Sequence, residues 1–570
     1  MKSTFHGLET ARRAMMTQQY ALHTTGHNIA NANTPGYTRQ RVNFTQTEPY
    51  PNVGMNRPML PGHLGTGVKA GSIQRVREHF LDVQFRNENN KVGYYGTKYE
   101  ALTRMEDILN EPSEQGLASL IDQFWGAMQD LSGDPEDTGA RVVARSRAEE
   151  IANTFNYLHS SLSTVQDDYK AEIDVTIKGM NSLLSQLNDV NQQIRSAEPH
   201  GYVPNDLYDE QDRILDQLSQ IIDIEVKREP SGGKPNPVAE GAVTVILKGL
   251  TDEDGNPKPI KLVDGTDGEE LLLFHEKMDT GTGTKFNLVR PEHVEEEPLE
   301  EETKIAQISY EDLPRGELKA LVEAFGYGEN KGLYPEMLAN LNELAMQFAK
   351  EVNAIHKIGF TLPDMSGNVG LGGDFFTIPT DSDNPAASLA VANNIKESTD
   401  NIAAASVNTA ALKDDVRVRY LELVNKNPKS EANYEELREI LSDNDSFISG
   451  IDKAFAGDGS NALRLSNMKN TLLTFFEDGK SQTANIMSFY QGVIGGMAVK
   501  TQEAGRMLGS SEGLRSNVEF NRQAVSNVSL DEEMTMMIQF QHAYNAAARN
   551  ITMVDEMLDR IINGMGVVGR

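Results

Sequence analysis

Leu8, Met15, Leu22 and Ile29 recur every seventh residue near the start of the chain, and Leu530, Met537, Tyr544, Ile551, Leu558 and Met565 do the same near its end. A seven-residue apolar period sustained over several turns marks a helical seam that needs a partner helix. The seams are separated by nearly the whole sequence. The simplest pairing folds the chain back, so that both termini share one helical element and the middle forms a large excursion. Such an architecture suits an assembly subunit better than an enzyme.

The pattern between the seams predicts the excursion. Residues 3–33 read as one helix. It is closed by Asn28-Ile-Ala-Asn31-Ala-Asn33-Thr34-Pro35-Gly36-Tyr37, a run of turn formers in which the proline fixes φ and the glycine tolerates positive φ. Residues 42–77, rich in Gly and Pro, read as an extended connector with some strand. Helical periodicity returns over 78–110, 112–131 and 139–220, with Leu158, Leu162, Val165 and Tyr169 stepping by three or four. Trp125, the single tryptophan, is expected as a core anchor there.

Between residues 224 and 313 the pattern changes to short apolar runs such as Val243-Thr-Val-Ile-Leu247 and Leu271-Leu-Leu-Phe274, separated by turn signals. A small, exposed, acidic β domain is expected, its charge concentrated in Glu295-Glu-Glu-Pro-Leu-Glu-Glu-Glu302. Helices resume over 334–358 and continue with breaks to 515. The last helix starts at Ser529, with Glu532 as the partner in a capping box, and runs to about Asn563, a length of about 50 Å.

The reading is mainly α with an inserted β domain, the N- and C-terminal helices paired as a coiled coil. Residues 1–45 with 525–570 form the terminal unit, 46–223 with 314–524 a helical middle domain, and 224–313 the β insert.

Composition narrows the function. The 84 acidic and 53 basic residues leave a net charge of −31, so nucleic acid and anionic membrane are repelled over most of the surface. No apolar stretch is long enough to insert in a membrane, and the first thirty residues lack the apolar block of a secretory signal. The absence of cysteine excludes disulfides, thiolate metal sites and cysteine nucleophiles, and fits an exported protein. Charge also distinguishes the ends: residues 1–41 carry an excess of basic groups and 530–570 an excess of acidic ones, which predicts attraction between them.

Candidate chemistry is sparse. His23 and His27 lie one helical turn apart, but Thr24 stands where a zinc protease carries its glutamate and no third ligand is evident, so both are read as structural or surface histidines. Asp252-Glu-Asp-Gly-Asn256 lacks the ligand register of a calcium loop, and Gly281-Thr-Gly283 lacks the third glycine of a dinucleotide site. No catalytic residue, metal or cofactor is expected. The candidate assembly surface consists of Leu8, Met15, Leu22 and Ile29; the turn residues Asn31, Asn33, Pro35, Gly36 and Tyr37; and Leu530, Met534, Met537, Tyr544, Ile551, Leu558 and Ile562.

The segment from Asn28 to Tyr37, continued by Thr38-Arg39-Gln40, resembles the amino-terminal signature of bacterial flagellar axial proteins. Its Thr34-Pro-Gly-Tyr37 followed by Arg39-Gln40 resembles the hook-associated type more than the hook or rod subunits. Leu530-Asp-Glu-Glu533, Gln541-His-Ala-Tyr544 and Asp555-Glu-Met-Leu558 resemble the carboxy-terminal block of that type, and Gly373-Asp-Phe-Phe376 an internal one, whereas residues 410–450 look like an extra helical insertion relative to it. The resemblance implies a non-enzymatic structural subunit, exported without a cleaved signal peptide to the extracellular hook–filament junction. Its implied partners are further copies of itself in a tubular ring, the hook protein, the third hook-associated protein, and an export chaperone at the C-terminal helix. Another axial subunit, of hook or distal rod, is the nearest alternative. An enzyme carrying a helical oligomerisation bundle is a more distant one.

Overall fold

A computed structural model describes residues 4–564, apart from 52–54, 56–61, 112, 114–115, 249–258, 276–284, 292–304, 329–330, 364–368, 379–383, 427–429 and 478–479. Met565, the 252–256 and 281–283 turns and the acidic run 295–302 therefore lie outside the described residues.

The chain opens with helix α1 (Thr4–Ala30) and an antiparallel hairpin, β1 (Gln40–Gln46) with β2 (Val68–Arg75). The extended connector thus folds as a ribbon along α1, where the buried Thr17 hydroxyl donates to the Val68 carbonyl at 3.2 Å. There follow α2 (His79–Leu109), α3 (Leu117–Gly133), α4 (Thr138–Ala197) and α5 (Asn205–Ile221).

Helix α4 is the spine of the body. Its 60 residues span about 90 Å. It begins at Asp137, whose carboxylate accepts from the free amides of Gly139 and Ala140. Ala144, Ala148, Ile151, Phe155, Leu158 and Leu162, all buried and spaced by three or four, set the stripe that faces α3 and α7.

Two three-stranded antiparallel sheets follow: β3 (Ile224–Glu229), β4 (Ala242–Leu247) and β5 (Ile260–Val263), then β6 (Leu272–His275), β7 (Lys285–Val289) and β8 (Ala306–Ser309). These sheets share one hydrophobic core with the helices, and every residue of β4 is buried, so this part of the insert is packed against the body. Two α4 asparagines hold it there. The Asn191 amide donates to the Val243 carbonyl at 2.9 Å and accepts from its N–H at 3.0 Å, and Asn181 does the same for Leu273 at 2.7 and 2.8 Å. Each amide side chain acts as a short piece of neighbouring strand, which satisfies backbone groups that burial would otherwise strand.

The chain then returns through α6 (Glu317–Phe325), α7 (Leu333–His356), β9 (Phe376–Thr377), α8 (Pro385–Ser388), β10 (Ala390–Val391) and α9 (Asn393–Glu397). Helices α10 (Asp414–Val424) and α11 (Glu431–Ser442) occupy the segment read as an extra insertion. After α12 (Ser460–Asn467) and the hairpin of β11 (Leu473–Glu477) with β12 (Lys480–Ala484), two long helices close the chain: α13 (Ile486–Ser526) and α14 (Leu530–Gly564).

The aromatic centre of the body is Phe124 against Phe348, Phe375 and Phe376, with Trp125 buried beside it. Helix α13 lies antiparallel on α2: Gly505 sits over Tyr99, Gly96 over Leu508, and Arg515 reaches Asn89. Helix α14 returns to α1. The fold is mainly α with inserted β structure, and its terminal helices are paired.

Candidate assembly interface

α1 and α14 run antiparallel, since Asn28 meets Glu533 near one end of the pair and Gly7 faces Val554 near the other. Leu8, Met15, Leu22 and Ile29 on α1, and Met537, Tyr544, Ile551 and Leu558 on α14, are all half-buried, as a two-helix seam requires. Ala11, Ala21 and Ala547 are buried, and their small side chains let neighbouring backbone pack closely on the two helices.

The remaining predicted α14 positions are not covered by the pair. Leu530, Met534 and Ile562 are exposed, the last at 71 %. With Ile538, Met553, Met557 and Ile561 they leave apolar side chains exposed in two groups on α14, within 530–538 and 553–562, the second forming a short stripe near the end of the helix, and α1 adds exposed Phe5, Met16 and Tyr20. Exposed apolar groups of this kind make α14 the candidate assembly surface.

At the turn the polar residues are organised by Asn28, which is buried. Its amide nitrogen donates to the Gln40 carbonyl at 2.8 Å and to Glu533 Oε2 at 3.1 Å, and its oxygen accepts from the Gln40 amide at 3.0 Å and the Tyr37 hydroxyl at 2.8 Å. Burial and the carboxylates of Asp206, Asp209 and Glu533 raise the Tyr37 phenol well above its ordinary pKa, so it stays a donor. Arg39 clamps the start of α14, with Nε to Glu533 Oε1 at 2.8 Å and Nη1 to Glu532 Oε2 at 3.0 Å, while its backbone N–H donates to the Ser526 carbonyl. The attraction expected between basic and acidic ends takes this form, and Glu532, read from sequence as a capping partner, is engaged by Arg39.

Asn31 is half-buried against His27, whereas Asn33, Pro35 and Gly36 are exposed on the turn, with Gly36 at φ 82°. Sequence reasoning missed Asn28, Arg39 and Glu533 as the residues that fix the turn. The signal available was the Asn28 and Arg39-Gln40 positions of the amino-terminal motif.

His23 is exposed, and His27 lies 3.5 Å from Asp206. Among the described residues no group of three or more His, Asp or Glu is placed to hold a metal, and no helix is long and apolar enough to cross a membrane.

A helical hairpin made from the two ends of one chain, with apolar surface left over, is the geometry of a subunit built to pack against further chains. Family models agree: that of the flagella basal body rod protein matches residues 8–38, that of the flagellar basal body rod FlgEFG protein C-terminal region matches 522–564, and that of the flagellar hook-associated protein FlgK helical domain matches 102–376. The sequence is 39 % identical over 574 residues to flagellar hook-associated protein 1 of Bacillus subtilis, covering all of both chains, and 23 % identical to that of Escherichia coli over 98 % of this chain and 99 % of the other. In structure it is similar to the flagellar hook junction protein FlgK from Burkholderia pseudomallei, with a TM-score of 0.54 at 15 % identity over 79 % of this chain and all of that one.

The chain is thus a structural component of the flagellar axis. It belongs to the flagellar hook-associated protein 1 family.

Proposed function

We propose that this protein forms the junction between hook and filament and is required for filament attachment. Copies assemble into a tubular ring through α1 and α14, and no reaction is catalysed. The carrying observation is the exposed apolar residues of α14, Met534 and Ile538 near its start and Met553, Met557, Ile561 and Ile562 near its end, beside a seam already occupied by α1. Burying such side chains contributes about 1.5–3 kcal/mol each as an upper bound, and in this reading neighbouring copies supply the cover.

In the same reading the hook protein lies on one side and the third hook-associated protein on the filament side, and the protein is exported without a cleaved signal peptide. An export chaperone covers the stripe of α14 beforehand. The exposed turn residues Asn33, Pro35 and Gly36 and the half-buried Asn31 and Tyr37 belong to the subunit contact. The terminal unit, the helical body and the β insert form successive layers from the channel outward.

Deleting the gene tests the reading. Cells are expected to carry hooks without filaments and to shed flagellin into the medium, and a chain lacking 530–570 is expected not to restore attachment. Normal filaments on the deletion strain would refute it.

A further inference from the structure

The chain passes between the terminal helix pair with its hairpin (α1, β1, β2, α14), which takes in residues to 75 beyond the expected boundary at 45, and the body at two places, residues 76–78 and 527–529. The helices and strands of the terminal unit pack mainly on one another, so the joint to the body is made chiefly by polar side chains. At its centre is Asp212 of α5, 2 % exposed in its side chain.

Asp212 collects guanidinium groups from both sides of the first crossing. Arg75, at the end of β2, reaches it at 2.9 Å, Arg77 in the crossing at 3.4 Å, and Arg86 of α2 at 3.0 Å. Arg228 of β3 closes the ring at 3.3 Å. Burial alone would raise the Asp212 pKa, but Arg77, Arg75, Arg86 and Arg228 overcome it and hold the carboxyl far below the usual range.

The second crossing enters the same cluster through Arg522, four residues before the end of α13. Its Nη1 lies 2.5 Å from Asp216 and 3.6 Å from Asp82, and its guanidinium stacks over Phe85. Asp82 is also the bidentate partner of Arg77, at 2.8 Å to both nitrogens. The cluster extends into the terminal turn, where Asp209 accepts from the Thr38 amide at 3.0 Å and from Arg75 at 2.8 Å.

Five guanidiniums (Arg75, Arg77, Arg86, Arg228, Arg522) thus meet five carboxylates (Asp82, Asp209, Asp212, Asp216, Glu240) where both crossings leave the body. We propose that this buried ionic cluster is a latch that fixes the direction in which the terminal helix pair leaves the body, tying both crossing segments to α5. Hydrogen bonds to planar guanidiniums are directional, so they set an angle that apolar packing across the same gap would leave adjustable. The latch does not depend on where along the flagellum the chain sits.

The chain has no cysteine, so spin labels placed at Gln502→Cys on α13 and Gln539→Cys on α14, both exposed, report the angle alone. In the full-length protein a single narrow distance distribution is expected. In Asp212→Asn and in Arg522→Gln the distribution should broaden at least twofold while the helix content of the body is retained. If Asp212→Asn does not fold, Arg522→Gln, at the edge of the cluster, decides. Wild-type width in the folded Arg522→Gln variant, or a broad distribution in the unsubstituted chain, would overturn the latch.

Discussion

Arg39 and Glu533 are 494 positions apart in sequence and 2.8 Å apart in the fold, with the Glu533 side chain completely buried. The carboxylate has no access to water and depends on Arg39 and Asn28 for its partners. Arg39→Ala is therefore expected to destabilise the terminal helix pair by about 3–5 kcal/mol, because a buried charge is left uncompensated. Hydrogen exchange of the α14 amides should accelerate accordingly. Replacing both Arg39 and Glu533 with methionine should recover part of the loss, since the buried charge goes with its partner.

Charging the outward stripe should separate assembly from folding. Met557 and Ile561 are exposed at 44 % and 43 %, so Met557→Glu with Ile561→Glu is expected to leave the thermal unfolding of the body within a degree or two. Filament attachment in cells carrying this variant as their only copy should fall to the level of the deletion. Attachment at the wild-type level would mean that the stripe is not a contact surface.

Helices α2 and α5 meet at Gly93, where an added Cβ would lie 2.3 Å from the Gln220 carbonyl oxygen. The oxygen belongs to the backbone and cannot swing away. Gly93→Ala should force the helices apart and lower the stability of the body by about 1–3 kcal/mol, visible as a lower unfolding midpoint.

His356 supplies a pH dependence. It is fully buried: Nε2 accepts from the Ala403 amide at 2.8 Å, which leaves the proton on Nδ1 to donate to the Gly373 carbonyl at 2.8 Å. Burial lowers its pKa to about 4, partly opposed by the Gly373 bond. Because the folded value lies below the unfolded one, near 6.5, the neutral ring's contribution is complete above about pH 6.5 and is lost as the pH falls to about 4. Urea unfolding should show wild type losing up to about 3 kcal/mol more over that interval than His356→Gln, whose amide can make both hydrogen bonds without titrating.

Local periodicity made the terminal helices legible. The every-seventh-residue apolar pattern from Leu8 and from Met537 identified both members of the pair and the face each turns to the other. The turn chemistry from Asn31 to Tyr37 was legible too, because Pro and Gly act on their own backbone. The latch was not. Arg75, Asp212 and Arg522 are each separated by more than a hundred residues, and an isolated arginine in a sequence looks the same whether it ends in water or in a carboxylate. The β insert was visible as strands, but its burial against α4 depends on Asn181 and Asn191, polar residues that read from sequence as solvated helix face. The connector 42–77 was legible as extended chain with some strand, but the pairing of its two strands was not, because Gln40–Gln46 and Val68–Arg75 are separated by residues 47–67.

The proposed ring requires neighbouring copies to cover the apolar residues exposed near the end of α14, Met553 to Ile562. A single thiol at Met557→Cys, read by maleimide labelling in the free full-length chain and in assembled junctions purified with their hooks, tests this directly. The stripe predicts rapid labelling of the free chain and at least tenfold slower labelling in the assembly. Equal rates in the two states would contradict it.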